Sequence, residues 1–210
     1  MTKRKLKVVG SDVGMGEEGG QNPFLVTCVE RVVRIYRCRL WGPYNSSEDF
    51  LHTIEALELA EEDDLVELHI SGPGGSLDAL ITLLHAMDKC KGHVHAVGTG
   101  MIASAATFPV ICADSYELHP HTSFLLHMVS FGVWPQKSQD VVDEVVFSAK
   151  QSETFIREYY AGMLNEEEML ELLHGKQFYM DAHEFADRYN RRNGLLEAQA
   201  IEKDAETTTH

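Results

Sequence analysis

Cysteine is scarce in this chain. The four that occur in 210 residues, Cys28, Cys38, Cys90 and Cys112, form neither a C-x-x-C pair nor zinc-ribbon spacing. That excludes a disulfide scaffold and a cysteine-built zinc site, and the thiols read as reduced. Long apolar runs are missing too. None approaches the roughly 20 residues of a membrane helix, and the basic start Thr2-Lys3-Arg4-Lys5-Leu6-Lys7 has no long apolar stretch behind it. The expectation is a cytoplasmic protein with no membrane partner. Positive charge is also short, with 18 Lys and Arg against 33 Asp and Glu and a net charge of −15. Nucleic-acid binding needs clustered Lys and Arg against phosphates, so protein or peptide partners are expected instead. Neither an internal repeat nor a long linker interrupts the chain.

With 44% hydrophobic residues, the length suits one domain with a sizeable core. Five glycines among residues 1–20 leave little periodicity there and predict a flexible arm, followed by a domain over 21–195 and a tail over 196–210. The domain reads as alternating strands and helices. Val32 to Leu40 alternates as a strand, Ser46-Ser47-Glu48-Asp49 caps a helix running to about Ala60, and Leu65 to Ile70 is the next strand. A Gly/Pro turn leads to a helix over Ser76 to Lys89, whose stripe of Leu77, Leu80, Ile81, Leu84 and Met87 is set to face a sheet. Then come a strand over His93 to Val97, a Gly98-Thr99-Gly100 turn and a short helix around Ser104 to Ile111. This βαβα order implies parallel strands, with functional loops where strands hand over to helices. Strands over Ser115 to Leu118 and Phe124 to Met128 precede a long helix over Ser138 to Tyr160, then helices capped by Asn165 and by Asp181 with Glu184.

Two glycine-marked turns carry the chemistry. Ser104 stands where a strand and glycine turn meet a helix start, and Gly74-Gly75 forms a second tight turn on the neighbouring strand. Facing one crevice, they can offer a serine nucleophile and backbone N–H donors for an oxyanion. His127, after the apolar run Phe124-Leu125-Leu126, supplies an imidazole base. The segment around Ser104 is not the G-x-S-x-G elbow of the α/β-hydrolases. The pairs His93/His95 and His119/His121 lack a third ligand at helical spacing, so no metal is expected. The run Glu61-Glu62-Asp63-Asp64 reads as a solvated helix end.

In order, Ser71-Gly72-Pro73-Gly74-Gly75, Gly100-Met101-Ile102-Ala103-Ser104-Ala105 and Pro120 through His127 resemble the motifs of the Clp protease proteolytic subunit family, ClpP, from roughly Arg31 to Asn190. The glycine turn carries one inserted glycine, and Ala105 stands where the family usually has methionine. The resemblance implies the ClpP/crotonase-like α/β fold, a compact head of β-α units with a projecting helical handle over Ser138 to Tyr160. It also implies a serine endopeptidase with Ser104 as nucleophile, His127 as base and the backbone N–H groups of Gly75 and Ala105 as oxyanion donors. Counting back from Asp181-Ala182-His183-Glu184, the place of the family's triad aspartate falls on Gln177. Asp181 is the nearest acid, but its spacing to Glu184 suits a helix cap better. Further implications are stacked rings of identical subunits, an AAA+ unfoldase that feeds them protein substrates, and no cofactor. Trp134-Pro135 is expected along the substrate groove. Two alternatives remain, a non-catalytic ring subunit and a crotonase-type acyl-CoA enzyme.

Overall fold

The computed structural model describes residues 2–5, 32–130 and 138–207. Most of the arm expected over 1–20, and Trp134-Pro135, lie outside the described residues. Seven strands form one sheet in the order β1-β2-β3-β4-β6-β7, with β5 off this path and paired to β4. Their spans are β1 Thr2–Lys5, β2 Val32–Tyr44, β3 Leu65–Gly75, β4 His93–Ala103, β5 Ser115–Leu118, β6 Ser123–Leu126 and β7 Phe178–Asp181. The helices are α1 Leu51–Leu59, α2 Leu77–Lys89, α3 Thr107–Cys112, α4 Ser138–Tyr160, α5 Glu166–Leu173 and α6 Ala182–Thr207. β2, β3 and β4 are parallel, as are β5 and β6 to β4, while β1 and β7 run antiparallel to their neighbours. α6 carries helical structure across the boundary at 196, as far as Thr207 of the stretch that the sequence reads as a tail.

The core follows from the alternation of β3. Val66, Leu68 and Ile70 are fully buried on one face and share a hydrophobic cluster with Leu80 and Leu83 of α2. The α2 stripe differs from its expected face. Leu83 is buried and Ile81 is 39% exposed, on the side toward Phe147 of α4.

Three strands outrun their expected ends. β2 continues to Tyr44, β3 through Ser71-Gly72-Pro73 to Gly75, and β4 through Gly98 and Gly100 to Ala103. Glycine and proline are poor strand formers, yet here each extension is paired by a neighbouring strand, with irregular register between Ile70 and Gly72. β4 is shared lengthwise. Its first half, His95 to Gly98, pairs with β5, and Met101 to Ala103 pair with β6.

Asp64 is only 4% exposed, contrary to the solvated end expected for the acidic run. Its carboxylate accepts N–H groups of Arg34 and Glu61 at 2.9 and 3.0 Å and faces the Arg34 guanidinium at 3.5 Å. Burial pushes its carboxyl up, but the N–H donors of Glu61 and Arg34 and the arginine charge outweigh that and hold it below the usual range.

α6 is anchored by rings and by one arginine. Phe185 stacks on Phe124 of β6 with centroids 3.7 Å apart, and the Tyr189 hydroxyl donates to the Ala113 carbonyl at 3.2 Å. Arg188 donates to both Glu168 carboxylate oxygens at 2.8 Å and to the Met163 carbonyl, clamping α6 to α5. That hydrogen bonding, against the opposing effect of burial, holds Glu168 below its ordinary range, with help from the Asn165 N–H. A carboxylate with a depressed folded pKa contributes stability above its unfolded pKa, and the contribution is lost as pH falls through the folded value. Arg188→Ala is therefore expected to cost about 2–4 kcal/mol near neutral pH, with a smaller difference from wild type in acid. Urea melts of both proteins across the acid range check this. A difference that stays constant with pH would contradict it.

Candidate active site

β3 and β4 are parallel neighbours, so their C-terminal ends open onto the same crevice. The turn at the end of β4 is tight. Ser104 follows Ala103 immediately, begins a 3-10 turn over Ser104–Ala106, and has φ 54. Among the described residues it is the one non-glycine residue with positive φ. Such a left-handed conformation costs a non-glycine residue on the order of 1–2 kcal/mol, and it persists where surrounding contacts over-determine it.

Those contacts come from β3. A Cβ added to Gly74, at φ +79, would fall 2.5 Å from the Ala105 nitrogen and 2.6 Å from the Ala103 oxygen. The glycine turn is thus packed directly on the backbone that carries Ser104, and no larger residue fits.

His127 is placed by the period of β6. Phe124 and Leu126 point into the core, so Leu125 and His127 take the alternate face. The imidazole Nδ1 lies 2.6 Å from the Met128 carbonyl oxygen. A carbonyl only accepts, so Nδ1 carries a proton, and in the neutral imidazole Nε2 holds the free lone pair.

Ser104, Ala105, His127 and Gly75 all line one cavity of about 560 Å3, floored by Leu80, Phe108 and Ile156. Ser148, Gln151 and Ser152 of α4 close it from the far side. The structure therefore gathers four of the five sequence-derived site residues. No hydrogen bond joins Ser104 to His127 among the described residues, as the imidazole is turned to Met128. Catalytic contacts are commonly loose without substrate.

Gln177 is the residue outside this cavity. The β6–β7 ladder ends on the pair Leu126 and Phe178, so His127 and Gln177 are the next positions on the two strands. Its amide oxygen nevertheless accepts the Tyr179 hydroxyl at 3.0 Å, and no hydrogen bond connects it to the imidazole. Asp181 accepts the Glu184 N–H at 2.8 Å as a helix cap, while the Glu184 carboxylate turns to Arg188 instead of reaching back to the Asp181 N–H.

Comparison with known proteins decides the family. The sequence profile of the Clp protease family matches residues 29–189. The chain belongs to the Clp protease family. It is 25% identical over 109 residues to ATP-dependent Clp protease proteolytic subunit 2 of Treponema denticola, covering 51% of this chain and 52% of that protein. To the proteolytic subunit 3 of Rhizobium etli it is 28% identical over 97 residues, covering 44% and 50%. These matches span about half the length of the two relatives. The mixed α/β sheet agrees with the Clp protease fold expected from the motifs.

Elsewhere, the His93/His95 pair finds its partner on the neighbouring strand β5, and the His119/His121 pair sits in the turn between β5 and β6. His93 Nε2 and His95 Nδ1 both meet the Ser115 hydroxyl at 2.7 Å, and the His121 N–H donates to His119 Nδ1. Among the described residues, no group of three His, Cys, Asp or Glu is placed to hold a metal ion. No helix there is long and apolar enough to cross a membrane. The Met128 carbonyl and the α4 wall escaped sequence reasoning. A backbone acceptor has no residue signature, and residues some 45 positions away meet the cavity only through tertiary packing.

Proposed function

We propose that this chain is a serine endopeptidase and the proteolytic subunit of an ATP-dependent Clp protease. The observation that carries the reading is Ser104 in a strained turn that opens into the same cavity as His127 and the Gly75 backbone. In the proposed reaction the His127 imidazole swings to the serine, and Nε2 takes the Ser104 proton as Oγ attacks the peptide carbonyl. The oxyanion is received by the N–H groups of Gly75 and Ala105, the imidazolium protonates the leaving amine, and water reverses the steps. No cofactor enters this chemistry.

A fluorophosphonate probe tests it. One serine is expected to label in the wild type and none in Ser104→Ala. An unlabelled wild type would favour a non-catalytic subunit, a reading supported by the carbonyl in place of a carboxylate at His127 Nδ1. A crotonase-type enzyme needs no nucleophilic serine, and it too would stay unlabelled.

Gln177 is proposed as the occupant of the third triad position, from its place beside His127 in register. Gln177→Asp is expected to raise kcat/KM about tenfold, because a carboxylate stabilises the imidazolium that an amide merely orients. Unchanged peptide hydrolysis in this variant would remove Gln177 from the mechanism.

Assembly into rings of identical subunits, with protein substrates delivered by an AAA+ unfoldase in the cytoplasm, belongs to the same proposal. Its support within this chain is the exposed apolar surface of α4, where Val142, Val146 and Phe147 are 52%, 64% and 67% exposed. Light scattering is expected to give a mass of many subunits. A monomer at every concentration would contradict it.

A further inference from the structure

A buried polar chain runs from α4 to the turn that carries the candidate nucleophile. The Thr107 hydroxyl donates to the Ser104 carbonyl at 2.7 Å, and the same carbonyl accepts the Thr107 N–H. The single Thr107 hydroxyl proton is used in that bond. The Tyr160 hydroxyl, 2.9 Å from Thr107 Oγ1, must therefore be the donor of the next one. Both side chains are fully buried, and the Tyr160 ring is held by stacking on Phe108 at 4.9 Å with planes 15° apart. Burial pushes the Tyr160 phenol above its ordinary range, so it remains a donor throughout the working pH.

The carbonyl so held belongs to a peptide unit with a second end. Ser104 C=O and Ala105 N–H share one planar amide, and no cis bond occurs among the described residues, so the two groups point in opposite directions. Fixing the carbonyl toward α3 fixes the Ala105 N–H away from it. Ser104 at φ 54 lies in a narrow basin from which this plane can relax, and Thr107 supplies two donors against that relaxation.

Resting on the serine peptidase reading, we infer that Thr107 and Tyr160 are positioning residues that lock the Ser104–Ala105 peptide plane, and thereby the oxyanion donor at Ala105. Neither side chain touches the substrate. Their effect is confined to how well the N–H is aimed when charge develops on the carbonyl oxygen, so it falls on the transition state and spares ground-state binding.

Thr107→Val keeps the shape and removes the hydroxyl. The expected result is a fall in kcat of about tenfold or more with KM within about twofold, short of the 10²–10³ that follows complete loss of an oxyanion donor. The affinity of a peptide boronate, which mimics the tetrahedral species, is expected to fall in parallel with kcat. Thr107→Ser restores the hydroxyl and both quantities. Tyr160→Phe, in which only the outer bond is lost, is expected to show a smaller fall of the same kind. A purely structural role would lower the melting temperature and leave boronate affinity and kcat of the folded protein alone, which would overturn the inference. If Thr107→Val does not fold, Tyr160→Phe decides, and wild-type kcat there overturns the pair. A wild type that takes no fluorophosphonate at Ser104 overturns the peptidase reading and this inference together. A labelled wild type beside an undiminished, folded Thr107→Val overturns this inference alone.

Discussion

Ser104→Ala is expected to lower the kcat/KM of peptide hydrolysis by about four orders of magnitude, and His127→Ala by a similar factor. A nucleophile and its base act as one unit, so the double variant should lose little beyond either single one. Folding should be untouched, because Ser104 and His127 line a cavity and neither side chain holds core elements together. The check is a fluorogenic peptide assay beside thermal melts of all three variants. A Ser104→Ala protein that cleaves at the wild-type rate would remove the serine mechanism. Additive losses in the double variant would show that the two residues serve separate steps.

Gly74→Val is expected to have the next largest effect, and to act through backbone alone. The substitution forces a β-branched residue to φ +79 and drives its Cβ to within 2.6 Å of Ala105 nitrogen and Ala103 oxygen. Strain and overpacking together should cost about 3–5 kcal/mol. Activity should fall more than about 100-fold even in the folded fraction, since a displacement of the order of 1 Å at the nucleophile turn is enough for that. Gly175→Val is the control. Its φ is +98 but nothing lies within 4 Å of an added Cβ, so it should lose modest stability and no activity. Equal losses in the two variants would mean that the contact between the β3 turn and the Ser104 turn does not matter.

The sequence was most informative where a side chain states its own role. The span of α4, the Asn165 cap and β5 agree with their expected limits, because helix periodicity and capping residues are local signals. The strand extensions were not legible. Ser71-Gly72-Pro73-Gly74-Gly75 has turn composition, and only its pairing with β2 and β4 makes it strand. Ile81 shows the same limit on a helix, since a stripe fixes a face to within one position and the neighbour decides which residue is covered. At the site, Ser104, His127 and the glycines were legible from motif order, whereas the partners that hold them were not. Asp64, Thr107 and Tyr160 look like ordinary surface or core residues until residues 30 and 53 positions away arrive beside them.

The lengthwise sharing of β4 has a consequence for insertions and deletions. Only three pairs, Met101 with Ser123, Ile102 with Phe124 and Ala103 with Leu125, tie β6 to β4. Ser104 sits one residue beyond the last of them and His127 two beyond, so this short ladder is a ruler that measures base against nucleophile. Removing one residue within Ser123 to Leu126 would shift the imidazole by about 3.3 Å and turn it to the opposite face of the sheet. An extra residue between β5 and β6, around Pro120, would meet no such penalty, since that exposed turn precedes the ladder. Length variation among working versions of this chain is therefore expected to collect before Ser123 and to be absent from there to His127.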